Sequence, residues 1–133
     1  DMLDADDKEL EALDGRVGVV HASNFWHLFS WGQQLAIAVR LVAFFSGEEG
    51  AMVYGRQVGA AKAGAQSRAG ASFLHDQESF QRLWGQVGVL TGTRWRVEME
   101  FVGERLAKIP GFCGESRAAR YGVYRVEGAP EPW

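Results

Sequence analysis

Within 133 residues there is one cysteine, Cys113, three prolines and a formal net charge of only −3. Each shortage excludes something. A lone thiol cannot close an internal disulfide, so a reducing, cytoplasmic setting is expected and Cys113 is read as incidental. A slightly acidic balance with scattered Lys and Arg argues against nucleic acid and anionic membrane as partners, because both select clustered positive charge. No apolar run approaches the roughly 20 residues of a membrane-spanning helix. The three histidines have spacings that fit no zinc motif and gain no support from a second cysteine, so no metal site is expected. A G-x-G-x-x-G turn after a strand is missing as well; the glycines gather instead in "GAAKAGAQSRAGAS".

What is present fits one compact α/β domain, since 47% hydrophobic against 23% charged residues supplies a sizeable core. "DADDKELEALDG" predicts a short, solvent-facing helix capped at Asp4 or Asp6, with Glu9 completing a capping box and Gly15 ending it. "RVGVVHA", Arg16 to Ala22, is an apolar run of strand length expected to be covered on both faces. Ser30 with Gln33 makes a second capping box, and the apolar run from Leu35 to Phe45 predicts a deeply packed helix. "AMVYG", Ala51 to Gly55, reads as a short strand followed by a Gly/Ala/Ser-rich loop over 58–72 that is expected to move or to fold over a ligand. Asp76 caps a third helix whose stripe includes Phe80, Leu83, Trp84, Val87 and Leu90, and Gly92 stops it. Trp95 to Val102 alternates apolar and charged residues as a half-buried strand, with Tyr121 to Val126 as its antiparallel partner and a polar connection over 103–120. The prolines of the tail forbid further regular structure.

"DMLD", "VVHASNFWHLFSWGQQL", "MVYGRQVGA", "SFLHDQESFQRLWGQVGVLTGTRWRVEMEF" and "YGVYRVE", in that order, resemble the C-terminal half of fungal class I S-adenosylmethionine-dependent methyltransferases of terpenoid and meroterpenoid biosynthesis. The resemblance implies a truncated Rossmann-like sheet holding the equivalents of strands 4, 5, 7 and 6, with a C-terminal antiparallel hairpin and flanking helices. It implies a methyltransferase-like half domain over 1–127 and a tail over 128–133. The cofactor-binding half, with its glycine turn, has no counterpart here. Of that site the resemblance leaves only Asp1 and Met2, beside the adenine, and His21, Ala22 and Ser23 at the end of the fourth-strand equivalent. No tightly bound cofactor is therefore expected if the chain is complete; S-adenosylmethionine is expected if it is a piece of a longer one, and Asp1 ahead of Met2 leaves both open.

In open α/β sheets ligands gather beyond the carboxyl ends of the strands, so "SNFWHLF" and "GRQVG" are expected to face one crevice. His27, between a strand end and a helix start, is expected to stay neutral and to act as acid or base. Arg56, directly after a buried strand, needs an anion or carbonyl partner. His75 is expected to face the crevice from beneath the glycine-rich loop. These three are the candidate catalytic groups. Asn24, Phe25, Trp26, Trp31, Tyr54 and Gln57 are the candidate substrate contacts, the aromatics forming an apolar wall and Gln57 bonding a carbonyl, while Trp84 belongs to the core.

Three functions follow from these residues. The first is a cofactor-independent isomerase or cyclase acting on a small hydrophobic substrate by acid-base catalysis. The second is a fragment of an O- or C-methyltransferase, and the third a non-catalytic binding subunit. Loss of the neighbouring strand would bare residues 16–22 as an edge, which predicts a homodimer through Val17 and Val19.

Overall fold

A computed structural model describes residues 2–4, 6–45, 50–60, 63–66, 72–105 and 116–128. The elements run α1 (Lys8–Glu11), β1 (Val19–His21), a 3-10 turn (Trp26–Leu28), α2 (Trp31–Phe44), β2 (Met52–Ala60), β3 (Gly64–Gln66), β4 (Ser72–Leu74), α3 (Gln77–Thr91), β5 (Arg94–Arg105) and β6 (Ser116–Val126). The main sheet has the order β1-β2-β6-β5, and β3 pairs with β4 in a separate ribbon. β1 and β2 are parallel, whereas β6 runs antiparallel to both of its neighbours. This is the strand order 4, 5, 7, 6 expected of the truncated methyltransferase-like sheet.

Local chemistry explains the helices. The Ser30 hydroxyl accepts the N–H of Gln33, whose side chain returns to the Ser30 N–H, and Asp76 makes the same reciprocal pair with Ser79. Gly92, at φ 71°, closes α3 in the left-handed region where a side chain is disfavoured. α1 departs from expectation: Asp7, not Asp4 or Asp6, is its N-cap, accepting from the N–H groups of Glu9 and Leu10.

α2 and α3 both lie on one face of the sheet. Val53, Val97 and Val123, aligned across the strands, pack there with Ile37, Leu41, Phe80, Leu83 and the fully buried Trp26 and Trp84. Trp26 meets Phe80 and Trp84 edge-on at 5.9 and 6.0 Å between ring centres, the offset geometry that aromatic quadrupoles favour.

The strands differ from expectation at three places. Only Val19–His21 of the 16–22 run is a strand, and it is covered on one face, because both helices pack on the same side; Val19 is 56% exposed. β2 runs past Gly55 to Ala60, so the first part of the expected 58–72 loop is sheet, paired to β6 from Met52↔Tyr124 to Ala60↔Ser116. Part of the remainder forms the β3–β4 ribbon, while 61–62 and 67–71 lie outside the described residues. The hairpin is longer than expected, since β5 reaches Arg105 and β6 begins at Ser116, which takes residues at both ends of the 103–120 connection. Cys113 and the tail from 129 onward lie outside the described residues.

The two edges of the sheet are finished differently. On β5 the outward backbone groups at Trp95 and Val97 are bonded by α3: Gln81 donates to Trp95 O at 2.9 Å and accepts from Val97 N at 2.8 Å, and Gln77 donates to Val97 O at 2.6 Å. On β1 the inward groups are used, since Met52 N donates to Gly18 O and Ala22 N to Tyr54 O, so the peptide groups of Val19 and His21 point outward. Among the described residues nothing bonds them.

Candidate functional site

The crevice lies past the carboxyl ends of β1 and β2. Beyond His21 the chain still tracks β2, with Asn24 N donating to Arg56 O at 2.7 Å and Arg56 N donating to Ser23 Oγ at 3.1 Å. Gly55 permits this approach, because a Cβ there would collide with the Ala22 carbonyl and sit 2.9 Å from Ser23 Oγ. Asn24 takes φ 55°, a left-handed turn that asparagine tolerates, and this turns the chain into the 3-10 turn. The Ser23 hydroxyl and His21 Nε2 are 2.8 Å apart, and the His21 ring lies 4.8 Å from that of Tyr54. Tyr121 locks the floor: its hydroxyl donates to Ala22 O at 2.5 Å and accepts from Trp26 Nε1 at 2.8 Å. Burial holds the Tyr121 phenol far above its ordinary pKa, so it remains a donor.

The sheet separates the residues expected to meet in this crevice. Tyr54, 40% exposed, and the exposed Arg56 project from the helix-free face, as does His21. Trp26, His27, Gln57 and His75 are buried on the helix side. Trp26 is core and makes no substrate wall. His27 Nδ1 accepts the Val58 N–H at 3.1 Å, which fixes Nδ1 as the unprotonated nitrogen, and burial lowers its pKa. Gln57 turns its amide toward Met99 Sδ at 3.6 Å. Trp31 donates to Gln86 Oε1 at 3.0 Å, and the half-buried Phe25 stacks edge-on against Trp26 and Phe29.

His75 does not face the crevice. It is 1% exposed, with Nε2 2.6 Å from Gln34 Oε1 and Nδ1 2.8 Å from Ser79 Oγ. Gln34 Nε2 already donates to the Phe29 and Phe73 carbonyls, both at 3.0 Å, so Gln34 Oε1 must accept. His75 therefore carries its proton on Nε2, and Ser79 donates to Nδ1. Burial pushes its pKa down to about 3, with Asp76 opposing weakly. This closed network pins the β4 ribbon to α2 and α3. Sequence reasoning missed Gln34, Ser79 and Tyr121, and only Tyr121, a tyrosine in a buried run, carried any signal of a buried hydroxyl needing a partner.

Across the helix-free face the residues align in rows: Val19, Met52, Tyr124 and Arg96; then His21, Tyr54, Gly122 and Glu98; then Arg56, Arg120 and Glu100. A shallow trough of about 580 Å³ runs over most of them, from His21, Met52 and Tyr54 to Glu98 and Glu100. Arg120 pairs with Glu100, Arg96 with Glu98 at 3.4 Å, and Arg96 also lies over the Tyr124 ring. The Arg56 guanidinium has no partner among the described residues.

Comparison with known proteins places this layout. The O-methyltransferase phiE of a fungal species, strain ATCC 74256, is 33% identical, the match covering 96% of this chain and 44% of that protein. The O-methyltransferase atr3 of Stereocaulon alpinum is 32% identical over 95% of this chain and 38% of its own length. The chain is homologous to part of a fungal methyltransferase. A third relative, the Asnovolin E/Chermesin D methyltransferase nvfJ of Aspergillus novofumigatus, is 32% identical over 73% of this chain and 36% of its length. This methyltransferase-like chain thus spans less than half the length of the curated relatives it matches, which are secondary-metabolite enzymes. No protein-family profile matches it.

Such enzymes normally use S-adenosylmethionine. Ala22 O is held by Tyr121, Ser23 Oγ by Arg56 N and His21, and Met2 packs against the core. Asp1 lies outside the described residues. Among the described residues no three His, Cys, Asp or Glu side chains converge as a metal site would require, and no helix is long and apolar enough to cross a membrane.

Proposed function

We propose that this chain is the C-terminal, substrate-side portion of an S-adenosylmethionine-dependent methyltransferase of fungal secondary metabolism, and that its crevice receives a small hydrophobic substrate. What supports this most is one conjunction: 33% identity to an O-methyltransferase across 96% of the chain, together with a sheet that ends in an antiparallel hairpin inserted as β1-β2-β6-β5. The cofactor, held by the remainder of the polypeptide, supplies an electrophilic methyl group. Transfer to a hydroxyl or carboxyl oxygen requires that oxygen to give up its proton. His21, exposed and hydrogen-bonded to Ser23 at the crevice mouth, is the group placed to take it. Tyr54 offers its ring beside it, and Arg56 lines the same trough.

The test joins this chain to the part of the phiE relative that it does not match and supplies labelled S-adenosylmethionine with extracts of the producing fungus. A metabolite gaining one CH₂ is expected, with yield reduced roughly 10²-fold or more in His21→Ala, as for loss of a general base. The second reading is a cofactor-independent isomerase or cyclase. What favours it is the same His21–Ser23 pair, which can relay a proton without a methyl donor. Conversion at unchanged mass by the chain alone would select that reading and sink the first.

A further inference from the structure

We propose that Ser23 is an acyl-accepting nucleophile with His21 as its base, and that the crevice hydrolyses esters of small apolar acids. This activity needs no methyl donor and stands apart from the reading above.

The hydrogen bonds around Ser23 set the direction of its proton. Its Oγ accepts the Arg56 N–H at 3.1 Å, so its own hydrogen is left to donate, and His21 Nε2, 2.8 Å away, is the acceptor it meets among the described residues. Nε2 is therefore the unprotonated ring nitrogen, and Nδ1 carries the proton. A serine nucleophile stands in this relation to its general base, a hydroxyl aimed at a free imidazole nitrogen within roughly 2.6–3.2 Å.

Placement adds a second argument. Ser23 and His21 are both exposed at the carboxyl end of a parallel strand, and Asn24, at φ 55°, turns the chain at once into the 3-10 turn that leads to α2. Serine hydrolases of α/β type present their nucleophile on such a strand-to-helix turn, where the hydroxyl stands clear at the rim of the sheet. Gly55 makes the room, because a Cβ there would lie 2.9 Å from Ser23 Oγ. The Tyr54 ring, 4.8 Å from that of His21 and 40% exposed, offers apolar surface to an acyl chain. Arg56 lines the same end of the trough with a guanidinium that has no partner among the described residues, a cation available to developing negative charge. Among the described residues no carboxylate is bonded to His21, so the pair works as a dyad.

In the reaction Ser23 Oγ attacks the ester carbonyl carbon while its proton passes to His21 Nε2, which becomes imidazolium. The carbonyl electron pair moves to oxygen, where Arg56 meets the charge. Collapse of the tetrahedral species breaks the bond to the alkoxy oxygen, which takes the proton from Nε2 and leaves as the alcohol. Water, giving a proton to Nε2, then attacks the acyl-serine; the proton returns to Oγ and the acid departs.

Diisopropyl fluorophosphate tests the nucleophile and p-nitrophenyl butyrate the turnover, both on the polypeptide that joins this chain to the unmatched portion of phiE and without S-adenosylmethionine. Peptide mass spectrometry should find one diisopropylphosphoryl group, on Ser23, with fluoride released. His21→Ala should slow both labelling and p-nitrophenol release by roughly 100-fold. Ser23→Ala should abolish both, while Ser23→Cys, which keeps an attacking atom in place, should retain p-nitrophenol release. Slow amide exchange along the β2–β6 ladder certifies the fold of each variant. An unlabelled Ser23 in a polypeptide with that ladder protected would overturn the proposal, as would undiminished p-nitrophenol release in Ser23→Ala or undiminished labelling in His21→Ala. Labelling without methyl transfer would sustain the nucleophile and defeat only the functional reading; methyl transfer with Ser23 unlabelled would do the reverse.

Discussion

The sheet has two edges, and they obey different rules. β5 is twelve residues long, and α3 answers its outward peptide groups at Trp95 and Val97 with the glutamine amides of Gln77 and Gln81. β1 is three residues long and has a more apolar surround, and no side chain covers its outward groups among the described residues. Exposed edges invite pairing, and proteins usually blunt them with charge, twist or cover. The two edges thus differ in how their outward peptide groups are met: at Trp95 and Val97 by side chains of α3, at Val19 and His21 by nothing among the described residues.

The layer beneath both edges should respond most to mutation. Gln34→Ala strands the His75 Nε2–H and the Phe73 carbonyl in the interior, and we expect a loss of about 3 kcal/mol in urea denaturation. Next comes the attempt to make β5 resemble β1. Gln81→Leu keeps the bulk but frees Val97 N and Trp95 O, which should cost about 2 kcal/mol and introduce self-association visible by light scattering. A stable, monomeric Gln81→Leu would erase the distinction between the edges. Acid should act through His75. Its folded pKa, about 3, lies below its unfolded value near 6.5, so its contribution is complete above about pH 6.5 and is lost as pH falls from there toward 3. The midpoint temperature should drop across that window, with a shallower slope in His75→Gln. Val19→Lys is the smallest change, within about 0.5 kcal/mol, because a solvent-facing side chain on a bare edge loses nothing. A large destabilisation there would mean that β1 is already covered.

The elements specified by short-range chemistry were legible. Ser30 with Gln33 and Asp76 with Gly92 announce their helices because caps are local bonds. The alternation from Trp95 to Phe101 announces β5 in the same way. β2 was cut short because Gly55 and Gly59 read as loop residues. Both instead admit close neighbours, the Ala22 carbonyl at one and the His75 carbonyl at the other, contacts that no local pattern carries. The site was legible only in outline. His21, Ala22 and Ser23 do stand at the strand end, but the two sides of the sheet divide Tyr54 and Arg56 from His27 and His75. Period-2 alternation along β2 contained that division, since Tyr54 and Arg56 share a parity that Val53 and Gln57 do not. Which parity the helices would cover depended on α2 and α3 packing on the same side.

The Tyr121 latch also sets a timetable. Its partners Ala22 and Trp26 lie 99 and 95 residues earlier in the chain. Non-local closures of this kind form slowly and, during synthesis from the N-terminus, cannot form until the late strand has emerged. The crevice mouth made by the segment around Ala22 is therefore given its shape by a strand that emerges later, and a nascent chain halted before β6 would present His21 and Ser23 on an unlatched loop.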